Sequence, residues 1–125
     1  MTWTYEQKTG ALRHDGVFID RGYAGSGKGV NNPAMQDVPN VGPLPCGVYR
    51  IGDPYYSSNV GPYALKLAPD AANVMFGRSE FRIHGDSIEK PGTASHGCIV
   101  LPRKTREEIV KSGDRELHVV SGEAT

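Results

Sequence analysis

Residues 81–102 read FRIHGDSIEKPGTASHGCIVLP, and this segment holds two of the four histidines and one of the two cysteines of the chain. The alternation of apolar and polar side chains over residues 81–83 is typical of a β-strand, which then ends at His84. A second short apolar run, residues 99–101, follows Cys98 directly. Two short strands joined by a polar loop would therefore place His84 and Cys98 together at one opening in the surface of the fold.

A thiol beside an imidazole is the arrangement of a nucleophile and its general base. The imidazole accepts the thiol proton, and the thiolate is the species that attacks. Taken alone, Cys98 could equally be a buried structural thiol, since free cysteines are commonly buried. Its neighbours favour the nucleophile, because Gly97 allows backbone amides to approach a reacting carbonyl closely. The amides of Gly97 and Cys98 are therefore the predicted oxyanion donors.

The His-Gly pair at residues 84–85 and the run Ser-His-Gly-Cys at residues 95–98 together resemble the L,D-transpeptidase catalytic domain of bacterial cell-wall enzymes. The signature of that family is His-Gly, a loop, and then Ser/Thr-His-Gly-Cys. The family usually places Arg or Asn soon after the cysteine. This chain instead continues with Ile-Val-Leu-Pro at residues 99–102 and reaches an arginine only at Arg103.

The chain resembles more closely still a compact subgroup of this family, the L,D-transpeptidase effectors delivered by type VI secretion. The segments that carry this likeness span most of the sequence and are MTWTY at 1–5, NNPAM at 31–35, NVGP at 40–43, MFGR at 75–78 and HGDS at 84–87. The resemblance implies a mostly-β catalytic domain that acts on the bacterial cell wall.

By this resemblance, the substrate is the tetrapeptide stem of peptidoglycan. Cys98 would attack the carbonyl at the L-centre of the third stem residue, typically diaminopimelate, and release the terminal D-alanine. An amine could resolve the thioester on Cys98, giving a cross-link or exchange with a free D-amino acid. Water could resolve it instead, giving L,D-carboxypeptidase activity. The sequence leaves these outcomes open, and the chemistry calls for no metal or cofactor.

His84 matches the first histidine of the family and is the predicted base, whereas His96 adjoins Cys98 and is predicted to contact substrate. The predicted catalytic residues are Cys98, His84, Ser95 and Gly97. The predicted substrate-binding residues are His96, Asp86, Arg103 and Arg106. The group that orients His84 is left open among Asp86, Ser87 and a backbone carbonyl near Gly85 or Ser95.

Four arginines are candidates to bind a stem-peptide carboxylate, because a guanidinium binds carboxylates in a forked geometry. They are Arg78, Arg82, Arg103 and Arg106. Arg103 and Arg106 are favoured over Arg78 and Arg82, because they follow Cys98 most closely along the chain.

At 125 residues, with 38% hydrophobic residues, the chain is predicted to be one catalytic domain, 1–125, with one core. Sixteen glycines and nine prolines favour short strands and many turns over a helical bundle. The patterns predict about eight short strands. They would form a β-sandwich or flattened barrel with one C-terminal helix.

Local signals place that helix at about residues 103–112, between a proline and a glycine. Residues 53–62 are predicted to be a turn region, and residues 121–125 a frayed tail. Trp3 and Tyr5 are predicted to pack in the core.

The distribution of charged and apolar residues argues against nucleic acid and membranes as partners. The chain carries fourteen basic and fourteen acidic residues, and no basic block suggests a nucleic-acid surface. No run approaches the roughly 20 apolar residues of a membrane span.

The N-terminus MTWTYEQKTG lacks the basic start and apolar run of a Sec-type signal peptide. Because the substrate implied by the resemblance lies outside the cytoplasm, the protein would reach it by a secretion machine, by a fused partner or through phage lysis. The resemblance to type VI effectors implies synthesis in the cytoplasm, action in the periplasm of a target cell, and an immunity protein in the producing cell.

Four alternatives were weighed against this interpretation. His84, His96 and Cys98 are also candidate zinc ligands, which would make the protein a zinc-dependent cell-wall hydrolase. A non-catalytic cell-wall binding module would need no paired thiol and imidazole.

The run GYAGSGKG at 22–29 nearly matches a phosphate-binding loop, yet it ends in glycine where a hydroxyl is needed and no helical pattern follows. A disulfide between Cys46 and Cys98 is disfavoured, because the two cysteines lie in different sequence contexts.

Overall fold

The chain is built mainly from β-structure, as the sequence predicts. The computed structural model describes residues 1–122 and shows nine strands in one sheet, one α-helix and two short 3-10 helices. The strands are β1 (Trp3–Glu6), β2 (Ala11–His14), β3 (Val17–Arg21), β4 (Tyr23–Ala24), β5 (Gly47–Ser57), β6 (Gly61–Pro69), β7 (Arg82–His84), β8 (Ile99–Val100) and β9 (Glu116–Val120). The helix α1 spans Arg103–Ser112, and the 3-10 helices span Gly27–Gly29 and Pro33–Met35. The strand absent from the predicted eight is β4, whose two residues are too few to carry a periodic pattern.

The strand order in the sheet is β3-β2-β1-β9-β5-β6-β7-β8-β4, so β3 and β4 lie at its two edges. Neighbouring strands are antiparallel except for two parallel pairs, β1 with β9 and β7 with β8. The second parallel pair matters for the site, because it registers His84, the last residue of β7, with Val100, which lies only two residues after Cys98.

One apolar core packs against this sheet. Trp3 and Tyr5 are 1% and 0% exposed, which confirms their predicted place in the core. On β5, Tyr49 and Ile51 are buried while Arg50 between them is exposed. This alternation follows from the two-residue period of a strand.

The helix α1 begins and ends at the predicted residues. Pro102 precedes it with an extended backbone, and Gly113 follows it with φ of 73°, in the left-handed region. The N–H of Gly113 bonds to the carbonyl of Val110, so the helix ends in the way that favours glycine. Ile109 is 1% exposed, and Val110 packs beside it against the core. These contacts dock the helix on the sheet.

The prediction of a turn region over residues 53–62 is wrong for most of that segment. The strand β5 continues to Ser57, and β6 already begins at Gly61. The register between the two strands shifts between Ile51 and Pro54. A bulge of this kind accommodates a proline, which cannot donate to the ladder. The residues that predicted a turn therefore lie in an irregular strand that contains a bulge.

The predicted frayed tail is described only at Ser121 and Gly122, and residues 123–125 lie outside the described part. Across residues 1–122, no helix combines the length and the apolar character needed to cross a membrane.

Candidate active site

The parallel pair β7 and β8 brings the predicted base and nucleophile to one place. His84 is the last residue of β7 and is registered with Val100, and Cys98 directly precedes β8. His84, Cys98 and His96 line one cleft of about 730 Å³. We call this the site cleft. Its other walls come from residues 77–82, 85–87 and 93–94, and from two loops at 39–40 and 59–60.

His84 is only 2% exposed, and its ring is oriented by its neighbour. Nδ1 lies 2.8 Å from the carbonyl oxygen of Gly85. Because a carbonyl can only accept, Nδ1 carries the proton and Nε2 keeps its lone pair. Of the orienting groups left open by the sequence, the structure therefore selects the Gly85 carbonyl. Burial lowers the pKa of His84, and the charges of Arg106 and Arg82 act in the same direction, against the Gly85 bond and Asp86.

Cys98 is half-buried and keeps its proton more firmly than a free thiol. Burial raises its pKa, and this outweighs the lowering by the Arg82 backbone and by the charges of Arg82 and Arg78. Sγ lies 3.8 Å from the carbonyl oxygen of Glu80, within reach of a weak S–H donation. With the pKa of His84 lowered, the resting pair is a neutral thiol and a neutral imidazole.

Ser95 holds the turn at residues 95–98 and is fully engaged inside the protein. The residue is 1% exposed. Its Oγ accepts hydrogen bonds from the N–H of Gly25 at 2.9 Å and of Gly97 at 3.0 Å, and donates to the carbonyl of Cys98 at 2.6 Å. These three bonds use the hydroxyl to hold the turn in place, and the catalytic role of Ser95 stays a prediction.

Of the two amides predicted to bind an oxyanion, that of Gly97 already donates to Ser95 Oγ. The oxyanion roles of Gly97 and Cys98 stay predictions. The backbone conformation and the packing at position 97 both favour glycine. Its φ is +138°, and a Cβ there would lie 2.6 Å from Nη2 of Arg78. The residue therefore allows an arginine to pack directly on the turn.

Asp86 is exposed but occupied. Its Oδ1 accepts from the hydroxyl of Tyr23 at 2.6 Å and from the N–H of Ser87 at 2.8 Å, and its Oδ2 accepts from the N–H of Gly92 at 2.9 Å. Burial raises the pKa of Asp86, but these bonds outweigh it and the net pKa is lowered. The carboxylate fastens the 86–92 loop, and its predicted contact with substrate stays a prediction. His96 is exposed in the site cleft, and its substrate contact stays a prediction.

Neither predicted arginine clamp lines the site cleft. Arg106 is 6% exposed and bonds the backbone carbonyls of Leu101, Pro62 and Tyr63. Arg103 lies over the Tyr63 ring at 4.3 Å. Their position along α1 directs both side chains towards β6, and their predicted contact with substrate stays a prediction.

The arginines that do line the site cleft are Arg78 and Arg82. Arg82 pairs with Glu80 at 3.7 Å and keeps 20% of its side chain exposed. One signal in the sequence could have found it. Side chains two apart on a strand share a face, so Arg82 and His84 lie together while Ile83 enters the core.

The zinc alternative finds no support in the geometry. Within residues 1–122, the only group of three whose ligand atoms all lie within 4.8 Å of one another is His14, Asp15 and Asp114. His84, His96 and Cys98 do not form such a group. The two cysteines are free thiols, and Cys46 donates to Gln7 Oε1 at 3.2 Å.

Comparison with known families supplies the last observation. The Tlde1 domain matches residues 19–122, which include the whole site cleft. No curated protein matches the chain. The match covers far more than half of the sequence, and the chain therefore belongs to the Tlde1 domain family of type VI secretion effectors.

Proposed function

We propose that this domain is a cysteine acyl transferase that acts on tetrapeptide stems of peptidoglycan, as an L,D-transpeptidase or L,D-carboxypeptidase. The observation that carries the proposal is the placement of Cys98 and His84 in one cleft, with the His84 Nδ1 proton bound to the Gly85 carbonyl. That tautomer leaves Nε2 free to accept the thiol proton, which is the role a general base must fill.

The reaction divides into two transfers. His84 Nε2 takes the proton of Cys98, and Sγ attacks the stem carbonyl to form a tetrahedral intermediate. The amine of the terminal D-alanine leaves with the proton from His84, and a thioester remains on Cys98. An incoming amine or water then gives its proton to His84 and attacks the thioester. This restores the thiol and completes either acyl transfer or hydrolysis.

The two pKa shifts favour the uncharged forms of Cys98 and His84 before substrate binds. Because burial lowers the pKa of His84 and raises that of Cys98, the proton stays on sulfur until substrate arrives. A thiol kept in this state is less prone to react with unrelated electrophiles, since thiolate is the reactive form. When His84 takes the proton, the charges of Arg82 and Arg78 favour the thiolate that forms, and during the attack the negative charge passes from sulfur to the carbonyl oxygen.

The site cleft is large enough for a peptide stem and offers one guanidinium for its carboxylate. Its volume of about 730 Å³ lies within the roughly 300–1,000 Å³ of small-molecule sites. Arg82, rather than Arg103 or Arg106, is the candidate for the carboxylate of the departing D-alanine, because it lines the cleft and remains partly exposed.

As a type VI effector of this activity, the protein would act in the periplasm of a target cell and consume donor stems there. The producing cell would need an immunity protein. Expression without an export signal should then be tolerated, whereas an exported form should cause swelling or lysis. Equal toxicity of both forms would argue against the cell wall as target.

The decisive experiment is mass spectrometry of muropeptides after incubation with purified protein, with and without a free D-amino acid. Loss of terminal D-alanine indicates carboxypeptidase activity, a mass corresponding to the added amino acid indicates exchange, and dimers indicate cross-linking. Cys98→Ala should abolish all three products, and Cys46→Ala, the matched thiol control, should abolish none. Products formed by Cys98→Ala would overturn the covalent mechanism.

A further inference from the structure

Arg78 joins two distant segments at the wall of the site cleft. The residue is 9% exposed, and its guanidinium donates to four backbone carbonyls. These are Gln36 at 2.6 Å and Pro43 at 2.8 Å from Nη1, and Gly42 at 3.0 Å and His96 at 3.4 Å from Nη2. Three acceptors belong to the loop 36–43, and the fourth belongs to the turn that carries Cys98.

All four acceptors are neutral carbonyl oxygens, so the bonds hold the guanidinium without cancelling its charge. Burial lowers the pKa of Arg78, partly offset by Tyr49, Cys98 and Asp37. An arginine nevertheless stays protonated in proteins. A fixed positive charge therefore lies beside Cys98.

The contact with the Cys98 turn is close because residue 97 has no side chain. A Cβ on Gly97 would meet Arg78 Nη2 at 2.6 Å and Phe81 Cε1 at 3.0 Å. The Phe81 ring lies on the guanidinium, 5.1 Å from its central carbon, which is within the range of a cation–π contact. Glycine, aromatic ring and arginine thus pack as one layer.

We propose that Arg78 is a positioning residue for the Cys98 nucleophile, holding the cleft wall at residues 36–43 against the 95–98 turn and stabilising the thiolate with its charge. Pro39 and Asn40 of that loop line the site cleft together with Cys98. Loss of Arg78 would therefore change the thiol and the shape of the cleft together. The inference rests on the nucleophile of the proposed function and not on the identity of its substrate.

Other charged groups face Cys98 and limit the expected effect. The titratable side chains that line the cleft with it are Arg82, Glu80, His84, Asp86 and His96. Arg82 lowers the pKa of Cys98 as Arg78 does. Since Arg82 is kept in every variant below, loss of Arg78 should weaken thiolate stabilisation without abolishing it.

The test is the pH dependence of alkylation at Cys98 in a Cys46→Ser background, which leaves one thiol to react. Arg78→Gln should move the alkylation midpoint to higher pH and lower the rate at pH 7 by about tenfold, equivalent to one pKa unit. Arg78→Lys should keep the midpoint near that of the parent, because the charge remains. The matched control is Arg115→Gln, which removes an arginine bonded to the Ile51 carbonyl outside the site cleft and should change nothing.

A second readout separates positioning from charge. Arg78→Lys cannot reproduce the fork to four carbonyls, so proteolysis within residues 36–43 should accelerate and muropeptide turnover should fall several-fold. If Arg78→Gln does not fold, Arg78→Lys decides by these two measurements. An unchanged alkylation midpoint in a folded Arg78→Gln, or unchanged turnover and proteolysis in Arg78→Lys, would overturn the proposal. Alkylation uses no stem peptide, so a wrong substrate assignment would leave the expected midpoint shift in place.

Discussion

The centre of the sheet and its cleft edge are held by different interactions. In the centre, β5 and β6 run for 11 and 9 residues and pair along most of their length over the apolar core. At the cleft edge, which we define as β7, β8 and β4, the strands have only 3, 2 and 2 residues. Ladders this short supply few backbone bonds, so the edge must be fixed in another way.

Polar side chains that bond the backbone supply what the short ladders lack. Ser95 binds three backbone groups, and Arg78 and Arg106 each bind several carbonyls. A satisfied buried polar network fixes one geometry, because any rearrangement leaves a buried group unpaired. Stability therefore comes mainly from the centre of the sheet, and the precise geometry of the site comes from its edge.

After loss of the Cys98 nucleophile, the largest effect should come from the proposed base at the cleft edge. His84→Ala should lower turnover of stem peptides by about 10²–10⁴-fold, the usual contribution of a general base. His118→Ala, an imidazole that lies on β9 outside the site cleft, is the control and should leave the rate unchanged. Steady-state kinetics on purified stems measures both. An unaltered pH profile of Cys98 alkylation in His84→Ala would transfer the base role to His96.

A substitution in the centre should reverse the pattern and affect stability rather than chemistry. Leu117 is 0% exposed on β9, between β1 and β5. Leu117→Ala should lower the free energy of unfolding by about 2–5 kcal/mol through the cavity it leaves. Urea denaturation measures this loss, and Val120→Ala on the same strand, 40% exposed, should cost far less. A lower activity per folded molecule would blur the distinction between the two regions.

Ser95→Ala should affect both quantities, because it removes the bonds that shape the 95–98 turn. Leaving buried amides unpaired costs about 1–3 kcal/mol. Turnover should fall further than that of a centre variant with the same loss of stability. Ser79→Ala, an exposed serine that also lines the site cleft, is the control. Equal losses of activity in Ser95→Ala and in such a stability-matched centre variant would contradict the positioning role.

The pH dependence of turnover should reflect the burial of His84. Its pKa is lowered from 6.5, so the imidazole remains neutral, and able to accept a proton, below the pH at which a free histidine is half protonated. The acid limb of kcat/KM should therefore lie below pH 6.5. Because the pKa of His84 is lower in the folded state, the unfolded chain binds the proton more readily. The free energy of unfolding should therefore fall as the pH drops below 6.5. An acid limb above pH 6.5 would contradict the neutral resting imidazole.

The smallest effect, and the only favourable one, should come from the core. The hydroxyl of Tyr5 is buried without a hydrogen-bond partner among the described residues. Tyr5→Phe should therefore leave the free energy of unfolding unchanged or raise it by up to about 1 kcal/mol. Tyr49 is the matched control, since its hydroxyl donates to the Pro45 carbonyl at 2.7 Å and Tyr49→Phe should destabilise. Thermal unfolding of the two variants measures the difference.

The sequence alone determined those features whose causes lie within a few neighbouring residues. The helix 103–112 was predicted with its observed bounds, because Pro102 and Gly113 set its ends locally. The alternation on β5 and the burial of Trp3 and Tyr5 follow from strand periodicity and hydrophobicity in the same way. The placement of His84 and Cys98 along one cleft also needed only two short strands in the expected order.

The roles of the polar residues around that pair were decided by tertiary structure. The guanidinium of Arg106 bonds the carbonyls of Pro62 and Tyr63, and the hydroxyl of Ser95 accepts from the N–H of Gly25. Residue type and spacing predict neither contact. A polar side chain binds whichever donors and acceptors the packed backbone presents, and these come from segments far away in the sequence. Residue type and spacing can therefore propose a reactive pair, but only the folded backbone determines which of the surrounding groups remain free to meet a substrate.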